Sequence, residues 1–345
     1  KPRKAQAVYT FSSLIGRSEE FTEAIENAKR AAKGLGNVLI LGESGTGKEL
    51  VAQAIHEASP RNTGPFIPLN CAAIPKELIS SELMGYEDGA FTGAKRGGQA
   101  GKFELANGGT IFLDEIAEMP MDMQCSLLRI LEDRVVCRIG GSKYHPVNVR
   151  IVAATNRDLW KCVQRGTFRL DLYFRLNVIR IELPPLRDRT GDIDILVPYL
   201  LESAARKNRV PMVAISGEVM ELFRRYYWPG NVRELKNVVE KCAVMTTSDT
   251  VTLENLPKDV LRQLSSSGPG AGYDPAAFTG GFSPPQDAAP AVPASYAASP
   301  MESIKEHETR VIVELMKKYN GNKSKVAKEL GISRSTLYKR LDEMG

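Results

Sequence analysis

An apolar run, Val38-Leu39-Ile40-Leu41, is followed at once by Gly42-Glu43-Ser44-Gly45-Thr46-Gly47-Lys48-Glu49. The run reads as a buried strand, and the glycines turn the chain sharply before a helix that opens near Lys48. A loop of this kind aims several backbone N–H groups at one point, and the helix N-terminus adds positive potential. It suits a polyphosphate, with Lys48 reaching the outer phosphates as a point charge. An ordinary glycine-rich turn is the bland alternative, and the strand-then-helix context speaks against it. In the generic form of this loop a hydroxyl follows the lysine and holds magnesium. Here Glu49 takes that place, so the metal is expected to be held mainly from elsewhere.

Gly108-Gly109-Thr110-Ile111-Phe112-Leu113-Asp114-Glu115 supplies the elsewhere. Carboxylates at the carboxyl end of a strand in an open parallel sheet lie beside the phosphate loop. Asp114 is expected to hold Mg2+, and Glu115 to orient or deprotonate an attacking water. A third run, Val149 to Ala154, ends in Thr155 and Asn156, polar residues able to read an outer phosphate or simply to form a turn.

The chain has 345 residues, 25% charged and 43% hydrophobic, with a net charge of +5. These values describe a soluble globular protein with room for two or three domains. No apolar stretch approaches the ~20 residues that a membrane span needs, and no signal peptide is visible. The expected location is the cytoplasm, with no membrane partner. The five cysteines, Cys71, Cys125, Cys137, Cys162 and Cys242, include no Cys-x-x-Cys pair, which argues against a zinc site or a disulfide framework. His56, His145 and His307 are read as structural or surface residues. The absent initiator Met suggests a fragment of something longer.

Strand-like runs at 38–41, 66–69, 110–113, 149–154 and 178–183 alternate with helical patterns. Residues 1–185 are therefore expected to form an α/β subdomain with a mostly parallel sheet, and the stretch around Gly140-Gly141-Ser142 a β-hairpin. Residues 186–262 carry helical periodicity without a clear strand, as a lid-like helical subdomain would. Within them Trp228-Pro229-Gly230 breaks the chain, and Asn231 and Glu234 have the spacing of a capping box. Residues 263–300 form the expected linker: 265–300 contain 7 Pro, 5 Gly, 6 Ser and 9 Ala, with no Lys or Arg. Residues 301–345 resume helical patterning with 10 Lys+Arg against 7 Asp+Glu. Ala327, Gly331 and Leu337 have the spacing of a helix-turn-helix. Ser333, Arg334, Ser335, Thr336, Tyr338, Lys339 and Arg340 would dress its second helix with groups for base edges and phosphates. A helical hairpin with a solvated basic face is the plain alternative.

Together these motifs resemble an AAA+ P-loop ATPase. Gly89-Ala90-Phe91-Thr92-Gly93-Ala94 resembles the signature of the bacterial enhancer-binding proteins, the ATPases that activate sigma-54 RNA polymerase. Further matches are Leu69-Asn70-Cys71, Glu104-Leu105-Ala106, the Phe168–Asn177 stretch and Trp228 to Leu235, and the terminal module is similar to the Fis type. The resemblance implies ATP as substrate with Mg2+. It implies that Ile15, Gly16 and Arg17 pack on adenine, that Asn70 holds Glu115 away until the outer phosphate is engaged, and that Arg233 is the lid sensor. It makes Arg169 and Arg175 arginine fingers acting on a neighbouring subunit of a homo-oligomer, a hexamer or a heptamer. Phe91 would grip sigma-54 from a mobile loop beside a second pore loop at Arg138–Gly141, and the C-terminal module would hold double-stranded enhancer DNA. The family usually carries an N-terminal sensor domain, and nothing like one is visible. A DNA-binding regulator with a silent ATPase domain and a different AAA+ remodelling machine are the alternatives.

Overall fold

The computed structural model describes residues 7–91 and 97–265, with Lys323 as an isolated position. The chain divides into two units, Lys1–Pro275 and Ala276–Gly345, and every described residue except Lys323 belongs to the first. Most of the expected linker and the basic module with Ser333 to Arg340 lie outside the described residues, as do Thr92, Gly93 and Ala94.

Five parallel strands form the central sheet, in the order Phe66–Asn70, Thr110–Asp114, Arg150–Thr155, Val38–Leu41 and Ile179–Glu182. All five expected strands are present, with ends shifted by a residue or so. In the three inner strands the apolar runs are nearly continuous because both faces are covered, while the edge strands Phe66–Asn70 and Ile179–Glu182 carry exposed polar positions. Leu39, Ile111, Leu113, Ile151 and Ala153 point into one core, which also takes Phe103, Leu127 and Leu172. Val38, Ile40, Phe112, Val152 and Ala154 point into the other, against Phe21, Ala28 and Val51. Because the strands are parallel, their carboxyl ends share one edge, and the chain leaves that edge into the phosphate loop, Asp114-Glu115 and Thr155-Asn156.

The expected hairpin is present as Val135–Cys137 paired antiparallel with Tyr144–Pro146. Past Pro185 the chain is helical, as expected, with its own core around Leu196, Phe223, Trp228 and Leu235. It also contains a parallel pair of two-residue strands, Ala214–Ile215 and Thr250–Val251, too short to leave a period in the sequence. The expected capping box forms only in half. Glu234 accepts the backbone N–H of Gly230 at 2.8 Å, but the cap position is Gly230, and the Asn231 side chain is used elsewhere.

Arg150 is 1% exposed, at the start of a central strand. It donates to the carbonyls of Ala31 (2.7 Å), Gly36 (3.3 Å) and Ala32 (3.5 Å), at the end of helix Glu19–Ala32. The carbonyls of a helix's last turn have no partner within the helix, so a buried cation caps them efficiently. Arg150→Met keeps much of the volume and removes the donors. It should lower unfolding free energy by about 2–3 kcal/mol, the cost of leaving buried acceptors unpaired, read as a shifted midpoint in urea.

Candidate functional site

The phosphate loop leaves Val38–Leu41 and enters helix Lys48–Glu57. Gly45 and Gly47 have φ of 82° and 100°, the left-handed region in which glycine carries little strain. Thr46 is buried and donates its hydroxyl to the Glu43 carbonyl at 2.9 Å. The Lys48 ammonium, 6% exposed, donates to the carbonyls of Gly42 (2.9 Å) and Glu43 (3.1 Å) and lies 3.9 Å from the Glu115 carboxylate. Burial pulls its pKa below the usual lysine range, while the Glu115 and Asp114 carboxylates pull it back up. A desolvated ammonium resting on two carbonyls is a ready partner for an anion. Glu49 is exposed and accepts from Gln53 at 3.2 Å.

At the neighbouring strand ends, Asp114 Oδ1 accepts the Glu115 N–H at 3.0 Å and Oδ2 accepts from the Asn70 amide at 3.3 Å. Asn70 was expected on Glu115, and the structure places it on Asp114 instead. The cause is local: Glu115 has φ 49°, a left-handed backbone costing on the order of 1–3 kcal/mol in a non-glycine residue. Its carboxylate is thereby aimed toward Lys48 and toward the Asn156 N–H, which it accepts at 3.3 Å. Thr155 is buried and accepts the Arg157 N–H at 3.1 Å, and its carbonyl accepts the Gly42 N–H at 3.3 Å, joining the phosphate loop to this strand. The structure thus brings together Lys48, Asn70, Asp114, Glu115, Thr155 and Asn156 at one edge of the sheet.

The lid supplies a second wall. Arg233 donates to Ser44 Oγ at 3.0 Å. Asn231, fully buried with φ 52°, donates to Glu43 Oε2 (3.1 Å) and to the Ser44 carbonyl (3.0 Å) and accepts the Leu186 N–H (2.7 Å). Arg187 grips both Glu43 carboxylate oxygens, at 2.5 and 2.8 Å, and this pairing holds Glu43 below the usual carboxylate range. The Ile15–Arg17 segment is tied to the same region. Arg189 donates to the Ile15 carbonyl (2.6 Å) and to Asp192 (2.7 Å), and Asp192 accepts the Arg17 and Ser18 N–H groups at 2.7 and 3.0 Å. Arg189 also lies 3.8 Å from the Phe21 ring centroid. A Cβ on Gly16 would fall 2.2 Å from that ring, so only glycine lets the segment pass. Arg187, Arg189 and Asp192 were not singled out from the sequence, and Asn231 only as half of a capping box. The signal available was the dense charge of Leu186-Arg187-Asp188-Arg189, where the chain leaves the sheet.

Arg169 and Arg175 stand apart from this cluster. Arg169 pairs with Asp171 (2.7 and 3.0 Å) and touches Cys125 Sγ at 3.2 Å, and the carboxylate pushes its pKa up. Arg175 is exposed, and its side chain reaches the Leu131 carbonyl at 3.4 Å. Neither partner set includes a phosphate-loop residue.

Gly89, Ala90 and Phe91 leave the body beside the hairpin. Phe91 is 41% exposed and meets the Tyr86 ring edge-on, with centroids 5.1 Å apart. The Ile139 N–H donates to the Gly85 carbonyl and the Glu87 N–H to the Ile139 carbonyl, both at 3.0 Å, which ties this segment to the hairpin. Arg138 adds a bidentate pair to Glu104 at 2.8 Å and a contact to Glu87 at 3.5 Å.

Three family descriptions match the chain: a sigma-54 interaction domain over residues 14–182, an AAA+ ATPase lid domain over 187–271, and a bacterial regulatory protein of the Fis family over 303–344. The chain is 42% identical over 337 residues to the regulatory protein AtoC of Escherichia coli, covering 98% of this chain and 68% of AtoC. The chain belongs to the sigma-54-dependent AAA+ transcription regulators. It is 47% identical over 334 residues to a signal-transduction and transcriptional-control protein of Clostridium beijerinckii, covering 96% of this chain and 48% of that protein. It is 49% identical over 261 residues to NtrC of Proteus hauseri, covering 75% of this chain and 55% of that one. Several of its curated relatives are thus about twice as long as the chain. Among solved structures it is similar to NtrX of Brucella abortus in complex with ATP, with a TM-score of 0.65 and 30% identity over 96% of this chain and 69% of that one. Its parts are a sigma-54 interaction domain of the AAA+ P-loop fold, an AAA+ ATPase lid and a Fis-family regulatory module. Among the described residues, no helix is long and apolar enough to cross a membrane.

The loop's fit to a phosphate is open to test at one atom. A Cβ on Gly45 would lie 2.2 Å from the Gly230 carbonyl oxygen, on a left-handed backbone. Gly45→Ala should weaken binding of a fluorescent ATP analogue by tenfold or more, since the backbone strain alone costs about 1–2 kcal/mol. Gly34→Ala, where the nearest atom would be 3.8 Å away, is the matched control and should bind as the parent does.

Proposed function

We propose that this protein hydrolyses ATP as a homo-oligomeric ring, a hexamer or heptamer, and uses the cycle to convert sigma-54 polymerase promoter complexes from closed to open. The observation that carries the reading is the joint placement of Lys48, Glu115 and Asn156 at the sheet edge, in one domain with the Gly89–Phe91 segment and its tied hairpin. The proposed domains are 1–185, 186–262, a linker over 263–300 and a DNA-binding module over 301–345, working in the cytoplasm.

The cradle fits a triphosphate: two left-handed glycines, a helix N-terminus and a desolvated ammonium converge on it. The Gly42–Glu49 segment would hold the phosphates, and Ile15, Gly16 and Arg17 the base. Asp114 has the donor chemistry for Mg2+, which when bound supplies positive charge to the phosphate oxygens. Glu115 would take a proton from the attacking water. Its contact to the Asn156 N–H orients it, and Thr155 stiffens the turn. Asn70 would act through Asp114, not directly on Glu115.

Arg233 would reach the phosphates from the lid, in exchange for Ser44 Oγ. Arg169 and Arg175 would serve the neighbouring subunit's site, where a guanidinium stabilises charge on the transferring phosphoryl group. Their partners in this chain, Asp171 and the Leu131 carbonyl, would park them between engagements. Gly89, Ala90, Phe91, Thr92, Gly93 and Ala94 would contact sigma-54. Ser333, Arg334, Ser335, Thr336, Tyr338, Lys339 and Arg340 would contact double-stranded enhancer DNA.

Phe91 separates chemistry from output. Its exposed ring touches Tyr86 and lies outside the nucleotide cluster. Phe91→Ala should keep at least about half of the ATPase rate, because no transition-state contact is removed. It should abolish open-complex formation in vitro with sigma-54 holoenzyme. Normal transcription by this variant would remove the segment from the coupling path.

A further inference from the structure

We propose that Glu43, Arg187 and Asn231 form a latch that couples the occupancy of the phosphate loop to the posture of the lid. The latch deepens the ATP-site reading and rests on it. All three are positioning residues, because they act on the loop and the lid, not on reacting atoms.

Glu43 faces two ways. Its backbone carbonyl accepts from Lys48 at 3.1 Å and from Thr46 Oγ1 at 2.9 Å, so it belongs to the inner surface of the loop. Its carboxylate leaves on the other side and takes the Arg187 guanidinium in a two-point contact, with the Asn231 amide on the same Oε2. Arg187 is further steadied 4.5 Å above the Tyr227 ring. A bidentate guanidinium–carboxylate pair is geometrically strict, so a shift in the Glu43 backbone is passed on rather than absorbed.

Asn231 completes the connection. It is fully buried and left-handed, a conformation that persists only where surrounding contacts over-determine it. Its amide N donates twice to the phosphate loop, and its amide O accepts the N–H of Leu186, the residue that opens the lid. One side chain therefore spans loop, hinge and lid helix. The backbones also touch, since the Gly230 carbonyl occupies the space that a Cβ on Gly45 would need.

The trigger is Lys48. Its ammonium rests on the carbonyls of Gly42 and Glu43, and a phosphate oxygen is a stronger, charged competitor for it. When Lys48 turns to a phosphate, Glu43 loses a charged donor at its backbone while its side chain remains held by the lid. The two ends of one residue are then pulled by different domains, which is the physical content of coupling. Gly42 also packs closely against Leu183, shortly before the lid begins: a Cβ there would come within 3.1 Å of the Leu183 carbonyl.

The test uses the full chain and a non-hydrolysable ATP analogue. Two quantities are read: affinity, by competition against a fluorescent ATP analogue, and amide hydrogen exchange over residues 184–190 and 228–235. In the parent protein the analogue should change exchange at Leu186. Arg187→Gln should bind the analogue about tenfold more weakly, a typical size for coupling between sites. At saturation its Leu186 exchange should no longer respond. Glu43→Gln should behave alike, and the double variant no worse than either single, because both remove one interaction. Reversing the pair, Glu43→Arg with Arg187→Glu, should restore part of the response. Variants that melt lower but keep parental affinity and a parental exchange response would make the contact merely structural and overturn the proposal. Strictly additive losses of affinity would overturn it too. If the parent binds the analogue and Leu186 does not respond, the latch alone falls. If the parent binds no nucleotide, the ATP-site reading falls with it.

Discussion

The position of one strand governs the chemistry of this molecule. Val38–Leu41 lies inside the sheet, paired in parallel on one side with Arg150–Thr155 and on the other with Ile179–Glu182. Both of its faces are buried, so neither its register nor its direction is free. The phosphate loop therefore leaves the sheet at a fixed point between two neighbours. The Gly42 N–H is held by the Thr155 carbonyl on one flank, and the Leu183 N–H by the Leu41 carbonyl on the other. Asp114 and Glu115 come from the next strand beyond, at the same edge. A parallel sheet with aligned carboxyl ends concentrates loops there, and ligand sites in open α/β folds follow from that geometry.

The lid is joined to this edge by polar contacts of unequal character. Arg189 and Asp192 are almost wholly buried, and each makes further hydrogen bonds to the Ile15–Ser18 segment. A buried pair of this kind contributes geometry more than stability, while loss of one partner strands the other. Arg187–Glu43 is more exposed, so its energy is screened, but its two-point geometry is specific. The first pair fixes the Ile15–Arg17 strap against the lid, and the second touches the phosphate loop. One contact is thus suited to anchoring and the other to reporting.

What could be read from the chain was what has a local period. Continuous runs such as Ile111–Leu113 and Ile151–Ala154 marked strands covered on both faces, and glycines at 42, 45 and 47 marked the loop between strand and helix. What could not be read was pairing across long stretches of chain. Asn231 looks like half of a capping box, and only the fold reveals that its amide crosses to Glu43 and Leu186 while Glu234 caps Gly230. Arg150 looks like a polar start to a strand and is in fact the cap of a distant helix. Asn70 is implied to restrain Glu115, and in this structure its amide meets Asp114, while no residue pattern announces the positive φ of Glu115. The two-residue strands of the lid are shorter than any period.

The central claim is that hydrolysis at this sheet edge drives polymerase remodelling. The most direct measurement is open-complex formation on a sigma-54 promoter, followed by chemical probing of unpaired thymines, with the full chain and sigma-54 holoenzyme. ATP should produce melted promoter DNA, and a non-hydrolysable analogue should bind without producing it. Equal melting with both nucleotides, or none with ATP despite measurable hydrolysis, would contradict the account.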